Sequence, residues 1–140
     1  MKKEQLVRHE FEPVYDKNSE ILILGSFPSV KSREQGFYYG HPQNRFWKVL
    51  AAFVQEKIPD SIEEKKEMLL RNHIAVYDVI WQCKITGSSD SSIKDVVPAD
   101  ITTIVELSKI RKIYANGKLA EKLFSKYQEK KIAFIPTFFS

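Results

Sequence analysis

One cysteine among 140 residues removes several chemistries at once. Cys83 has no partner for an internal disulfide, and a lone thiol cannot build an iron–sulfur or zinc cage, which takes several sulfur ligands. Histidine is scarce too. His9, His41 and His73 stand far apart without metal-ligand spacing, so no metal site is expected. Long apolar runs are missing: nothing approaches the length of a membrane span, and the opening MKKEQLVRHE has no apolar h-region. The expectation is a reducing cytoplasmic setting, with no membrane partner and no cofactor. Internal repeats and low-complexity segments are absent as well. Charge of one sign is in slight excess only. Twenty-two Lys and Arg against eighteen Asp and Glu give +4 and a pI near 9.1, which suits a polyanionic partner without requiring one.

What is present fits a compact domain. A hydrophobic content of 43%, with 12% aromatics, can bury a real core, and the length leaves room for one domain. Residues 1–20 are polar with scattered aromatics and read as a surface arm. Ile21 to Leu24 is apolar without alternation, as a parallel strand covered on both faces must be. Phe46, Val49, Leu50 and Phe53 recur at i, i+3, i+4 and i+7, which predicts a helix with those residues on its buried face. Pro42 suits its first turn. A second helix begins at the capping box Ser61-Ile62-Glu63-Glu64 and runs to Arg71, with Glu63 to Glu67 solvated. A second strand spans 74–80, followed by the polar loop QCKITGSSDSSIKD over 82–95. A short helix follows Pro98 and Asp100 with Ile101, Ile104 and Val105 inward. Arg111 to Ala115 is the third strand, Asn116-Gly117 punctuates, Leu119, Leu123, Phe124 and Tyr127 stripe a helix, and Ile132 to Ile135 is the fourth strand. Alternating strands and helices predict an α/β domain with a four-stranded, mostly parallel sheet. Its ligand crevice should lie beyond the carboxyl ends of the strands, at the loops after Leu24 and Ile80.

The stretch GSFPSVKSREQGFYYGHPQNRFW, residues 25–47, is unusual for a connection between strand and helix. Gly25, Gly36 and Gly40 permit close backbone approach to a ligand, Pro28 and Pro42 stiffen the turn, and Phe37, Tyr38 and Tyr39 offer planar faces. A flat, polar-edged ligand such as a nucleobase fits that composition.

The runs G-S-F-P-S and G-F-Y-Y-G-H-P-Q-N-R-F-W-K resemble the base-pocket segment of the uracil-DNA glycosylase superfamily, most of all its hypoxanthine (deoxyinosine) DNA glycosylase branch. The resemblance extends to about Ile135. It implies a three-layer α/β/α fold and a monofunctional glycosylase that acts, as a monomer, on double-stranded DNA containing a deaminated base. The mismatch-specific uracil and thymine DNA glycosylases carry G-I-N-P-G at the first motif, with a catalytic Asn where this chain has Phe27. In the deoxyinosine branch the catalytic Asn belongs to G-H-P-x-N, which matches Asn44, and the stacking aromatic matches Tyr39. The loop's Gly87-Ser88-Ser89-Asp90 is like the family's Gly-Ser-x-Asp. The single cysteine disfavours the superfamily's iron–sulfur members.

The required chemistry can be set against these residues. Breaking an N-glycosidic bond builds oxocarbenium character on the sugar and negative charge on the departing base. A placed water, donors aimed at the base and a means of extruding it are needed. An amide is no base, but Asn44 can hold water through its carbonyl and donate through its NH2. On residue type alone it is as well a cap of its own helix; the resemblance favours positioning water. Tyr39 reads as a stacking platform and Phe37 as core. Phe27 either packs under the base or fills space. Backbone amides near Gly25, Ser26 and Phe27 are candidates for a base carbonyl. His41 either bonds base or phosphate or caps the helix. Ser29, Lys31 and Ser32 are candidates for DNA phosphate, against the alternative that turn hydroxyls bond their own backbone. Asp90 either bonds the base edge, activates water or is simply solvated, and Asp78, at a strand end, has the better position.

Related glycosylases continue past the last strand with a Pro-Ser-x-Ser-Pro type loop that grips DNA, and then a closing helix. Here the sequence ends Ile135-Pro136-Thr137-Phe138-Phe139-Ser140. The expectation is one glycosylase domain over 1–140 without that loop and helix, with two phenylalanines left as an apolar surface. Uracil preference, a non-catalytic DNA-binding module and a nonfunctional remnant of the family remain as alternatives.

Overall fold

The computed structural model describes residues 3–40, 44–87, 89–132 and 135–139. Among them the chain forms β1 (Glu4–Arg8), β2 (Ile21–Gly25), α1 (Val30–Gln35), α2 (Phe46–Val54), α3 (Ile62–Arg71), β3 (Ile74–Asp78), β4 (Ile80–Thr86), β5 (Lys94–Pro98), α4 (Ile101–Glu106), β6 (Lys112–Ala115), α5 (Lys118–Tyr127) and β7 (Thr137–Phe139). Four strands make a parallel sheet in the order β3-β2-β6-β7, and helices cover it in an α/β/α arrangement, with α3 against β3 and α5 against β6. The apolar run of β2 takes its centre. Leu22 and Leu24 are fully buried, and every residue of β3 is buried too, as a strand with no solvent face requires.

Sheet order positions the crevice. From β2 the chain passes to β3 on one side, whereas β6 leads to β7 on the other. Neighbouring strands β2 and β6 therefore send their connections in opposite directions, which opens a gap past their carboxyl ends.

Three expectations are corrected. Residues 3–20, the described part of the expected surface arm, are built into the fold. β1 pairs with β4 in a second, antiparallel sheet of order β1-β4-β5, and Val14 bridges Val76, covering the outer side of β3. The polar loop over 82–95 is strand at both ends: β4 runs through Gln82 to Thr86 with Cys83 and Ile85 buried, and β5 begins at Lys94. The expected strand over 74–80 thus divides at Val79, where the chain changes sheets, held by Val79 N–H to Gly25 O (2.8 Å) and Ile80 N–H to Ser26 O (3.0 Å). Finally, the last strand is Thr137–Phe139 and not 132–135. Gln128, Ile132 and Ile135 are buried in turns after α5, and Gln128 donates from Nε2 to the Ala99 carbonyl at 2.8 Å, so the chain covers the core before it can re-enter the sheet. Residues 133 and 134 of that expected strand lie outside the described residues.

Helix α2 forms where expected but buries a different stripe. Trp47, Leu50 and Ala51 face the core, while Val49 and Phe53 are 63% and 79% exposed. The capping box forms in its first half: Ser61 Oγ accepts from Glu64 N–H at 3.0 Å, while Glu64 Oε2 reaches one residue past the cap and accepts from Asp60 N–H at 3.0 Å. Ile101, Ile104 and Val105 are inward as read. Among the described residues no helix is long and apolar enough to cross a membrane.

Candidate active site

A cavity of about 160 Å³ opens at the gap beyond β2 and β6. Gly25, Ser26, Phe27, Pro28, Ser29 and Ser32 line one wall; Tyr38, Tyr39, Asn44, Asp78 and Asn116 complete it. The connection from 25 to 44 reaches this place because its two ends are fixed. Ser29 caps α1, accepting from Ser32 N–H at 3.1 Å, and Gly36 ends that short helix in the left-handed region at φ 73°. Ser32, 2% exposed, accepts at Oγ from Gly40 N–H at 2.8 Å and turns the chain back. These two hydroxyls therefore act within the loop, as turn hydroxyls commonly do.

The aromatics divide by role. Phe37 and Tyr38 are buried, with the Tyr38 hydroxyl donating to Glu12 O at 2.8 Å. Tyr39 sits at φ 53°, a backbone region uncommon for a bulky side chain. That turn stacks its ring on Phe46, centroids 3.8 Å apart and planes within 18°. Burial, and next the negative charge of Asp78, push the Tyr38 and Tyr39 phenols well above their ordinary range, while an Asn116 contact works against this at Tyr39. Both stay neutral at physiological pH. Tyr77 is pushed up to about 12, by burial first and then Asp78.

Asn44 lines the cavity, and its Oδ1 accepts from Phe46 N–H at 2.8 Å. The carbonyl thus caps its own helix, yet it keeps a second lone pair, and the amide keeps its two hydrogens for a ligand. Phe27 packs partly buried against the core, its ring edge-on to His9 and under the Arg33 guanidinium at 5.8 Å. Gly25 is needed for space: a Cβ there would meet Asp78 Oδ1 at 2.5 Å and Tyr39 Oη at 3.2 Å. His41 and the side chain of Lys31 lie outside the described residues. Asp90 is exposed in the turn between β4 and β5 and does not line the cavity.

The sequence model of the Uracil DNA glycosylase superfamily matches residues 12–138. The chain belongs to that superfamily. Two relatives named "Hypoxanthine DNA glycosylase" are similar to it. One, from Methanosarcina acetivorans, is 38% identical over 117 residues, 82% of this chain and 74% of the relative. The other, from Methanosarcina barkeri, is 36% identical over 110 residues, 77% and 70% of the two chains. In three dimensions the chain resembles the solution NMR structure of a candidate uracil DNA glycosylase from M. acetivorans, with a TM-score of 0.81 and 33% identity over 96% of this chain and 82% of that one.

For this uracil DNA glycosylase superfamily member, sequence reasoning passed over two residues near the cavity. In the sequence Asn116, beside Gly117, reads as punctuation. It follows β6 directly, bonds through its N–H to Leu24 O at 2.7 Å and directs Nδ2 to Tyr39 Oη at 3.4 Å. Its place after a parallel strand was the available signal. His9 had none, because only the fold brings it beside Asp78, 69 positions away.

Proposed function

We propose that this chain hydrolyses the N-glycosidic bond of a deaminated base in double-stranded DNA, hypoxanthine in preference to uracil, after extruding the nucleotide from the stack. The observation that carries this reading is the convergence of Tyr39, Asn44, Asp78 and Asn116 on one cavity at the strand ends of a uracil DNA glycosylase fold. The relatives named for hypoxanthine support the choice of base. The name of the solved neighbour keeps uracil as the second candidate.

The chemistry follows from the side chains present. An extruded base stacks on the open side of Tyr39, whose other face rests on Phe46, and base–aromatic stacking contributes about 1–3 kcal/mol. Asn44 holds a water through its second carbonyl lone pair. As the glycosidic bond breaks, its electron pair leaves with the base, the sugar gains oxocarbenium character, water oxygen bonds C1′ and the released proton ends on the departing base. Amide hydrogens at 25–27 and on Asn116 are donors for the charge that grows on the base. Lys31 and the loop carrying Ser29 contact DNA phosphate. His41, next to that loop in sequence, contacts base or phosphate. The chain acts as a monomer without metal or cofactor, in a reducing setting that keeps the buried Cys83 a thiol.

Single-turnover cleavage of duplexes with one deoxyinosine or one deoxyuridine, developed with alkali to break abasic sites, tests the reading. The native chain should cut the deoxyinosine strand faster, and folded Asn44→Ala should lose about a hundredfold or more. A native chain that cuts neither duplex overturns the proposal; equal rates for native and variant overturn the role of Asn44.

A further inference from the structure

Behind the cavity stands a buried pair that the reaction as described does not use. His9 Nε2 lies 2.7 Å from Asp78 Oδ2, with the two side chains 0% and 6% exposed. His9 Nδ1 lies 2.9 Å from the Phe11 carbonyl oxygen. A carbonyl only accepts, so Nδ1 carries its hydrogen. The contact at Nε2 must then hold a second proton, on the imidazole or on the carboxyl. In either distribution that proton lies between Nε2 and Oδ2. Asp78 Oδ1 is therefore left as a pure acceptor.

Oδ1 lies beside Gly25 at the cavity wall. It is the atom that a Gly25 Cβ would strike, and both Gly25 and Asp78 line the cavity. Among the described residues no donor bonds it. The Tyr38 hydroxyl, close enough for its phenol to feel the Asp78 charge, donates to Glu12 instead. The imidazole cannot swing away. Its ring is packed by Phe11 at 4.6 Å, Tyr77 at 4.9 Å, Tyr38 at 5.6 Å and Phe27 at 6.1 Å, and its backbone N–H donates to Trp81 O at 2.7 Å.

An acceptor fixed there has a chemical meaning. Deamination turns the ring nitrogen beside the altered carbon from a lone-pair acceptor into an N–H donor, at N1 of hypoxanthine and N3 of uracil. The parent adenine and cytosine present a lone pair at the same atom, which a carboxylate oxygen repels. We propose that His9 is a positioning residue: it orients Asp78 and keeps the shared proton on the far oxygen, so that Oδ1 accepts the ring N–H by which hypoxanthine differs from adenine and uracil from cytosine. This rests on the glycosylase reading above.

Asp78→Asn separates this account from simple packing. A His9 whose Nδ1 bears the hydrogen offers a lone pair at Nε2, which draws the NH2 of the introduced amide and again leaves an oxygen toward the ligand. In His9→Leu the carboxyl loses its partner, is buried alone and takes up a proton that can sit on Oδ1, turning the acceptor into a donor. Single-turnover rates on deoxyinosine and deoxyuridine duplexes, at saturating and limiting enzyme, would be measured for the native chain, His9→Leu, His9→Gln and Asp78→Asn, with folding checked by circular dichroism. His9→Leu should lose at least about tenfold in the saturating rate with duplex affinity unchanged; His9→Gln, which still donates to Oδ2, and Asp78→Asn should each lose less. If His9→Leu does not fold, the other two variants decide: retained cleavage in both supports the inference, and loss in either, with the fold intact, overturns it. A His9→Leu as fast as native also overturns it, while leaving the glycosylase reading in place. A native chain inactive on both duplexes instead removes that reading, and this inference with it.

Discussion

At the scale of single residues, the cavity depends on an atom that is absent. Gly25 has no Cβ, and the space so left lies between Asp78 Oδ1 and Tyr39 Oη. Gly25→Ala would push its methyl carbon to 2.5 Å from Oδ1. Asp78 cannot yield freely, because Oδ2 is held by His9. The variant should therefore fold, at a cost of about 1–3 kcal/mol in urea unfolding, and cleave deoxyinosine duplex about a hundredfold more slowly, as displacements near 1 Å at a reacting centre do. A native rate in Gly25→Ala would mean that neither the carboxylate nor the phenol needs its present position. The sequence conveyed this site unevenly. Tyr39, Asn44 and the glycines stand in one stretch and were legible together, and Asp78 had the better position of the two candidate aspartates. Asn116 had only its place after a strand to mark it, and His9 had nothing, since the pairing of strands remote in sequence brings Asn116 to the cavity and His9 behind it.

The elements show where periodicity misleads. In α2 the apolar residues exceed what one buried stripe can hold, so spacing alone admitted two faces. Packing chose Trp47, Leu50 and Ala51, because Trp47 Nε1 donates to the Tyr38 carbonyl at 3.2 Å and ties the helix to the aromatic turn. Leu50→Ala should accordingly cost about 2–5 kcal/mol in urea or thermal unfolding, whereas Phe53→Ala, at an exposed position, should stay within about 0.5 kcal/mol of native. The reverse ranking would restore the face expected from spacing. β4 failed for a related reason. Its alternation of Ile80, Cys83 and Ile85 with Trp81 and Lys84 is broken by irregular pairing with β5, so the stretch reads as polar until β1 lies against it. The β2 run, buried on both faces, left no such choice, and its strand was found within one residue.

For the whole molecule, charge and cavity act over different distances. A net charge of +4 is a long-range attraction to phosphate, weakened by salt and indifferent to sequence. The contacts proposed to choose the base are buried, short and little screened: an oxygen of Asp78 and a ring of Tyr39 backed by Phe46. Affinity for undamaged and deoxyinosine duplexes should hence fall in parallel as salt rises, with a log–log slope of about −0.9 for each phosphate contacted. Their ratio should hold, because it is set inside the cavity. Fluorescence anisotropy on the two duplexes, with Asn44→Ala to prevent turnover, measures both quantities at once. Parallel lines would place attraction on the surface and discrimination in the pocket. A ratio that shrinks with salt would assign discrimination to charges on the surface, and Asp78 and Tyr39 in the cavity wall, with His9 behind them, would lose their part in choosing the base.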